Sequence, residues 1–248
     1  MKLWENFKLR AWQLGGIDGQ LCFDRAVLDK FLAAPFDVLP DFVPPPHFKL
    51  RGGRGKDHPR YGRFAYALAR HYRPEYIVEV GTFAGGTAVG WARALVENQR
   101  GKLLCIDRDV YSRGTFPQVT QQNLDRVGAT PAQYELLSGD SREQLPLLAE
   151  KLPEQVDIYL VDGDHTYEGA RADISNGLPM MRPGGFVLVH DVDPGRRMDE
   201  QTPEHPHPVL EAFQDVVAEH GFQWCILKFI RKHLGVIRIA PSQPQASR

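Results

Sequence analysis

The chain has little of what would commit it to an extracellular, membrane-embedded or nucleic-acid-bound setting. Only three cysteines occur in 248 residues, Cys22, Cys105 and Cys225. An odd, scattered set offers neither a disulfide framework nor the paired spacing of a zinc cluster. Cys105 and Cys225 lie in apolar, strand-like runs, which reads as buried free thiols in a reducing, cytoplasmic compartment. No apolar run reaches the ~20 residues that cross a bilayer, and the opening MKLWENFKLRAW lacks a signal peptide's apolar core and small-residue cleavage site. An excess charge of one sign is missing too. The formal net charge is −1 with 25% charged residues, which argues against nucleic acid or a membrane surface as the bulk partner.

What is present fits one α/β domain behind an N-terminal extension. Residues 1–59 read as that extension and a basic loop, and Met1 to about Pro46 do not look like part of a doubly wound sheet. Leu3, Trp4, Phe7 and Trp12 suggest an amphipathic helix, and Asp24 to Leu32 a second one with Asp24 as N-cap. The proline-rich run Leu39 to Pro46 must be extended. Lys49 to Arg63 (KLRGGRGKDHPRYGR) is the one strongly basic stretch, either a loop closing over an anionic group or a solvated linker. The extension could cover an active site or make the contact of a homo-oligomer, most simply a dimer.

Residues 60–240 alternate helices and strands, the mark of a parallel sheet with right-handed crossovers. Helices are expected over Arg60 to Tyr72, Thr87 to Val96, Arg113 to Val127, Arg142 to Leu152, Ala170 to Met181 (ended by the RPGG of Arg182 to Gly185) and Val209 to His220. Strands are expected at Tyr76 to Val80, Lys102 to Asp107, Tyr134 to Leu137, Val156 to Asp162 and Gly185 to Asp191. An edge hairpin follows at Phe222 to Phe229 and Leu234 to Ile239. Residues 192–208 form a polar, proline-rich insertion in which His205 and His207 read as solvated, and residues 241–248 a disordered tail.

The organising stretch is YIVEVGTFAGGT, Tyr76 to Thr87: strand, glycine turn, helix. Such a turn offers backbone N–H groups and a helix N-terminus to a ligand. Its glycines, Gly81, Gly85 and Gly86, are not spaced as in the dinucleotide fingerprint, and Glu79 precedes them. A carboxylate there suits a cationic ligand, such as a sulfonium with an amino-acid tail, better than a pyrophosphate. Further acids end the following strands: Asp107, Asp140, Asp162 and Asp191. Ligands of open α/β sheets bind outside the carboxyl ends of the strands, where these acids gather. Asp107 is placed for a ribose diol or for capping the next helix; Asp140 for an adenine amine or for capping the helix from Ser141.

Over roughly Arg60 to Ile239 this ordered set resembles the class I S-adenosylmethionine-dependent methyltransferases. VEVGTFAGG matches the first cofactor motif, LLCID the ribose acid and SGDS the adenine-side turn. VDGDHTYEGARAD followed by PGGFVLVHD resembles the branch with macrolide-sugar and rhamnosyl O-methyltransferases and the cephalosporin-modifying methyltransferase. The resemblance implies a Rossmann-like, doubly wound, mostly parallel seven-stranded sheet of order 3-2-1-4-5-7-6, its last strand antiparallel. It implies S-adenosylmethionine as cofactor, its methionine end near Glu79, Gly81, Thr82, Phe83 and Gly85. The ribose then falls on Asp107 beside Arg108, and the adenine near Gly139, Asp140 and Ser141, with Asp162 also touching the cofactor. In metal-using members of the branch an acid ends the fourth strand and an acidic pair the fifth. Asp162 and Asp191 fit, but His190 stands where relatives have an oxygen ligand, which sets magnesium in question. Asp164 or Asp193 could add a ligand.

Methyl transfer from a sulfonium is an in-line displacement with a neutral thioether leaving, so no acid is needed. A hydroxyl acceptor needs a general base within hydrogen-bond reach. His165, three residues beyond Asp162, is the candidate base, at the spacing seen in sugar-methylating relatives; it could instead simply bond a neighbouring carboxylate. Asp162 and Asp191, on neighbouring strands ~4.8 Å apart, could share a divalent cation that lowers the hydroxyl's pKa. The reading is a small-molecule O-methyltransferase acting on a sugar or natural-product hydroxyl. The alternatives are a metal-free N-methyltransferase, a nucleotide-dependent oxidoreductase and a silent nucleoside-binding module.

Overall fold

Ile77, Val78 and Val80 are β-branched residues buried on both faces of one strand, the composition that makes a central parallel strand. In the computed structural model of this protein, which describes residues 16–34, 58–110, 113–193, 200–228 and 233–241, everything else is arranged around that strand. The elements in chain order are β1 (Gly16–Gly19), α1 (Ala26–Ala33), α2 (His58–Tyr72), β2 (Tyr76–Val80), α3 (Ala88–Asn98), β3 (Lys102–Asp107), α4 (Gln118–Arg126) and β4 (Tyr134–Ser138). Then come α5 (Ser141–Lys151), β5 (Val156–Val161), α6 (Tyr167–Gly177), a 3-10 turn (Leu178–Met180), β6 (Met181–His190), α7 (Pro208–His220), β7 (Gln223–Lys228) and β8 (His233–Arg238).

The sheet order is β1-β7-β8-β6-β5-β2-β3-β4. β2, β3, β4, β5 and β6 run parallel, so their carboxyl ends open on one edge. β8 runs against β6 and β7. Strand alternation splits the core in two. Ile77, Leu103, Leu160 and Leu188 face Phe64, Leu68, Trp91 and Leu95 of α2 and α3. Val78, Leu104, Tyr159 and Val187 face α5, α6 and α7 through Leu145, Ile174, Phe213 and Val216. Glu79 therefore points to the α3 side, beneath the glycine turn.

The expected seven strands are all present in the expected order, and an eighth extends the sheet. β1 comes from the extension, which its sequence did not suggest, and pairs antiparallel with β7, Ile17 opposite Leu227. GIDG has one apolar residue, and that one is 40% exposed, so no alternation marks it. Backbone pairing to an open edge needs no side-chain pattern. Gly19 lets the chain press on Trp224, whose carbonyl oxygen would lie 2.8 Å from a Cβ there. Lys228 adds an ion pair to Asp18 at 2.6 Å.

Arg25, not Asp24, is the N-cap residue of α1; Asp24 stands one residue earlier and its Oδ1 accepts from Ala26 N at 2.8 Å. Arg63, at the end of the basic stretch, is no loop residue. It lies buried in α2 and donates to the carbonyls of Phe31 and Ala34, tying down the end of α1. The expected Trp4 helix, the Leu39 to Pro46 run, most of the basic stretch and the 242–248 tail lie outside the described residues. RPGG does not end α6, which stops at Gly177; Arg182 to Gly185 instead begin β6. Cys22, Cys105 and Cys225 are buried free thiols, with Cys22 Sγ 3.4 Å from Cys225 Sγ.

Candidate active site

The glycine turn closes the edge above β2. Gly81 adopts φ +80°, and a Cβ there would sit 1.9 Å from the carbonyl oxygen of Asp162. Only glycine allows the turn to rest directly on the end of β5. Gly81 N donates to Ile106 O and Asp162 N to Val80 O, which laces the ends of β2, β3 and β5 together. From outside, α4 locks the turn: Thr120 Oγ1 donates to Phe83 O at 2.9 Å and Asn123 Nδ2 to Ala84 O at 2.8 Å. These two were not singled out from the sequence. Their only signal is two polar residues three apart on the buried face of α4.

Glu79 is 2% exposed. Burial, and then the nearby Asp162 charge, push its carboxyl up to about 8, against the pull of Trp91 and Thr82. A buried acid that holds its proton becomes an anion once a positive ligand arrives.

Asp107 ends β3, where the reading placed it, but its carboxylate already has work. Oδ2 accepts from Phe83 N at 2.7 Å and Oδ1 from Asp109 N at 2.6 Å. Burial raises its pKa, and those N–H groups oppose the rise. It caps no helix, since α4 begins only at Gln118. Asp140 does cap: its Oδ1 accepts from Arg142 N at 2.9 Å at the start of α5, and Arg108 stands 3.5 Å from its Oδ2. Gly139 N donates to Asp107 O, holding the two turns together. The Ser141 hydroxyl faces inward, not toward an adenine, and donates to Asp173 Oδ1 at 2.6 Å. Burial lifts Asp173 to about 6.

Four side chains converge beyond β5 and β6. Asp162, His165, His190 and Asp191 each offer one ligand atom, and these lie within 4.8 Å of one another. His165 Nε2 is 3.3 Å from Asp162 Oδ1 and 4.0 Å from Asp191 Oδ2. His190 Nδ1 is 2.7 Å from Asp162 Oδ1 and 3.3 Å from Asp191 Oδ1, and the edge of the Tyr61 ring packs against its imidazole. Strand order makes this possible, because β5 and β6 are parallel neighbours. Asp191 takes a left-handed φ of +62°, a strained conformation of the kind that clusters at functional sites. Burial by itself lowers the pKa of His165, but the bond and charge of Asp162 and the charge of Asp191 outweigh it, and the net shift is upward.

Neither further candidate ligand joins the group. Asp164 Oδ1 accepts from Thr166 N and Oδ2 faces Arg142, feeding the Thr166 cap of α6. Asp193 pairs loosely with His233 at 3.8 Å. His205 is not a solvated loop residue, since it stacks on Tyr167 at 3.9 Å and pairs with Glu211 at 2.8 Å. His207 precedes α7, half-buried. Among the described residues, no helix is long and apolar enough to cross a membrane.

Comparison with known proteins agrees with this architecture. Residues 78–192 match a methyltransferase-domain family, the segment from β2 through the converging cluster. A catechol O-methyltransferase of Niastella koreensis is 30% identical over 147 residues, 59% of this chain and 62% of the relative. The chain thus spans about three fifths of that relative's length. Among solved structures, the O-methyltransferase TomG of Streptomyces achromogenes, involved in tomaymycin synthesis and bound to S-adenosylmethionine, superposes with TM-score 0.62 at 21% identity, covering 88% of this chain and 91% of that one. An O-methyltransferase of Bacillus cereus in complex with S-adenosylhomocysteine gives 0.59 at 16%, covering 88% and 93%. The chain shares its fold with these two methyltransferase structures.

Proposed function

We propose that this protein transfers the methyl group of S-adenosylmethionine to a hydroxyl of a small molecule, a sugar or natural-product acceptor, with His165 as general base. The observation that carries the reading is the position of His165: beside Asp162 and Asp191, three residues beyond the strand end on which Gly81 rests. A base and a cationic methyl donor are thereby brought to one edge of the sheet.

In this reading the methionine end of the donor lies over Glu79, Gly81, Thr82, Phe83 and Gly85. Its positive charge favours the ionised form of Glu79. The sugar meets Asp107 beside Arg108, and the adenine the backbone of Gly139 to Ser141. With Nε2–H of His165 donated to Asp162, the lone pair lies on Nδ1, and that nitrogen takes the acceptor's proton as the C–S bond breaks and the C–O bond forms. Asp162 and Asp191 favour the imidazolium that results. Divalent-metal assistance belongs to the proposal, with Asp162, His190 and Asp191 as holders; a cation bound there would lower the pKa of the acceptor hydroxyl. The cytoplasm is the proposed compartment, on the strength of three free thiols. A homodimer through the 1–59 extension is the proposed assembly, checked by sedimentation equilibrium.

Calorimetry with S-adenosylhomocysteine tests the cofactor, and methyl transfer from labelled donor to a panel of sugars, polyketides and catechols tests the acceptor. Catechols enter the panel because a catechol O-methyltransferase is among the relatives. No heat with the homocysteine product at high micromolar concentration would sink the reading. An amine acceptor is served by the same base, so amines belong in the panel as well.

A further inference from the structure

We infer that the cluster at the ends of β5 and β6 is a site for a divalent transition metal of the zinc, iron(II) or cobalt(II) kind, held by Asp162, His190 and Asp191, and that His190 turns it away from magnesium. The inference rests on the metal-assisted form of the proposed function and goes beyond it by naming the ion's class and the residue that selects it.

Geometry is the first support. Ligands at ~2.1 Å around a tetrahedral ion stand ~3.4 Å apart. Among the three proposed ligands, His190 Nδ1 stands 2.7 Å from Asp162 Oδ1 and 3.3 Å from Asp191 Oδ1, within reach of one shared ion. The second support is His190 itself. Its side chain is 6% exposed, and its Nδ1 makes no hydrogen bond although Asp162 Oδ1 is only 2.7 Å away. A buried imidazole nitrogen that close to a carboxylate oxygen, yet off hydrogen-bond geometry, is the relation between two ligands of one ion. Its ring is held in place, because it ends β6 opposite Leu234 and meets the edge of Tyr61, 4.4 Å between centroids.

The choice of ion follows from the donors. Magnesium prefers an octahedron of oxygens and keeps several waters. An imidazole nitrogen with two carboxylates suits zinc or iron instead, and cobalt(II) stands between iron and nickel in the same affinity series. Three protein ligands leave a position open, as catalytic rather than structural sites do. His165, 3.3 Å from Asp162 Oδ1, is not among the proposed ligands and is left to act as the base.

The test uses the full chain after chelator treatment. Cobalt(II) titrated into it should give a visible absorption band saturating at one ion per chain. Zinc at equal concentration should abolish the band, and a hundred-fold excess of magnesium should leave it. His190→Ala should weaken cobalt binding by about 100-fold, while His165→Ala keeps the band. His190→Asp should let magnesium displace cobalt. Asp191→Asn serves as a second ligand variant if His190→Ala does not fold, which circular dichroism reports. The inference is overturned by no band in the wild type, by a band that magnesium removes at equal concentration, or by ligand variants that fold and keep it. Calorimetry with S-adenosylhomocysteine on the same samples separates the two readings. A cobalt band without cofactor heat defeats the methyltransferase reading alone, and cofactor heat without a band defeats the metal site alone.

Discussion

The strand-end edge has two halves that treat their polar side chains in opposite ways. Around β3 and β4 the acids are already engaged. Asp107 accepts from two backbone N–H groups, Asp140 caps α5, and Ser141 is turned onto Asp173. Around β5 and β6 the side chains face one another, and two carboxylates are crowded against two imidazoles. The first half supports its own shape, and a nucleoside would find it preformed. The second is electrostatically demanding, and its state depends on the proton, cation or substrate it holds. Preorganised binding beside adjustable chemistry is the division that a group-transfer enzyme needs.

Substitutions can test that division. The largest effect is expected from His165→Ala, a fall in turnover of about 10²–10⁴-fold with S-adenosylhomocysteine affinity unchanged. In the wild type the acid limb of the rate should lie above the ordinary histidine value of 6.5, since the base must lose its proton and Asp162 and Asp191 hold that proton on. A tighter coupling of the halves than argued would show as lost cofactor binding in the same variant.

Gly81→Ala attacks the joint between the halves. Its Cβ would meet Asp162 O at a left-handed φ, so both functions should fail and stability should drop by about 3 kcal/mol or more in denaturant unfolding. Asp107→Ala should strike the first half alone. Losing an ionised acceptor for two half-buried N–H groups costs about 1.5–3 kcal/mol, roughly 10- to 100-fold in S-adenosylhomocysteine affinity. The cobalt band described above should survive it.

Glu79 gives a pH test. Its folded pKa of about 8 exceeds the ordinary 4.5, so between those values the folded protein holds a proton that the unfolded chain has lost. Stability without cofactor therefore falls as pH rises from 4.5 to about 8, and Glu79→Gln should remove that slope in thermal melts. Cofactor binding near pH 7 should release protons, read as calorimetric heats that vary with the buffer's ionisation enthalpy. The smallest effect is expected far from either half. Arg171→Ala breaks a surface pair with Glu219 and should cost at most about 1 kcal/mol, with turnover unchanged.

Which features were legible in the sequence depends on how local their cause is. The five parallel strands were readable because each is a short apolar run bounded by turn residues. Their order came with the resemblance. β1 was hidden, since an edge strand built on backbone pairing leaves no side-chain pattern. The capping role of Asp140 was one of two readings until α5 was seen to start at Ser141. Thr120 and Asn123 hold the glycine turn from another helix, and His205 is held by Tyr167 and Glu211, so no neighbouring sequence announces either. The end of α6 was misread because RPGG looks like a terminator, whereas the helix stops where Gly177 passes over the Tyr159 ring.

By itself the sequence determined the alternation of strands and helices, the glycine at Gly81 and an acid or imidazole at the end of each central strand. These follow from backbone conformation and from the two-residue repeat of a strand, both local properties. Only the tertiary structure decided which acids face backbone and which face each other. A carboxylate's partner is set by what the sheet order brings beside it, and it is the pairing of β5 with β6 that puts His190 against Asp162.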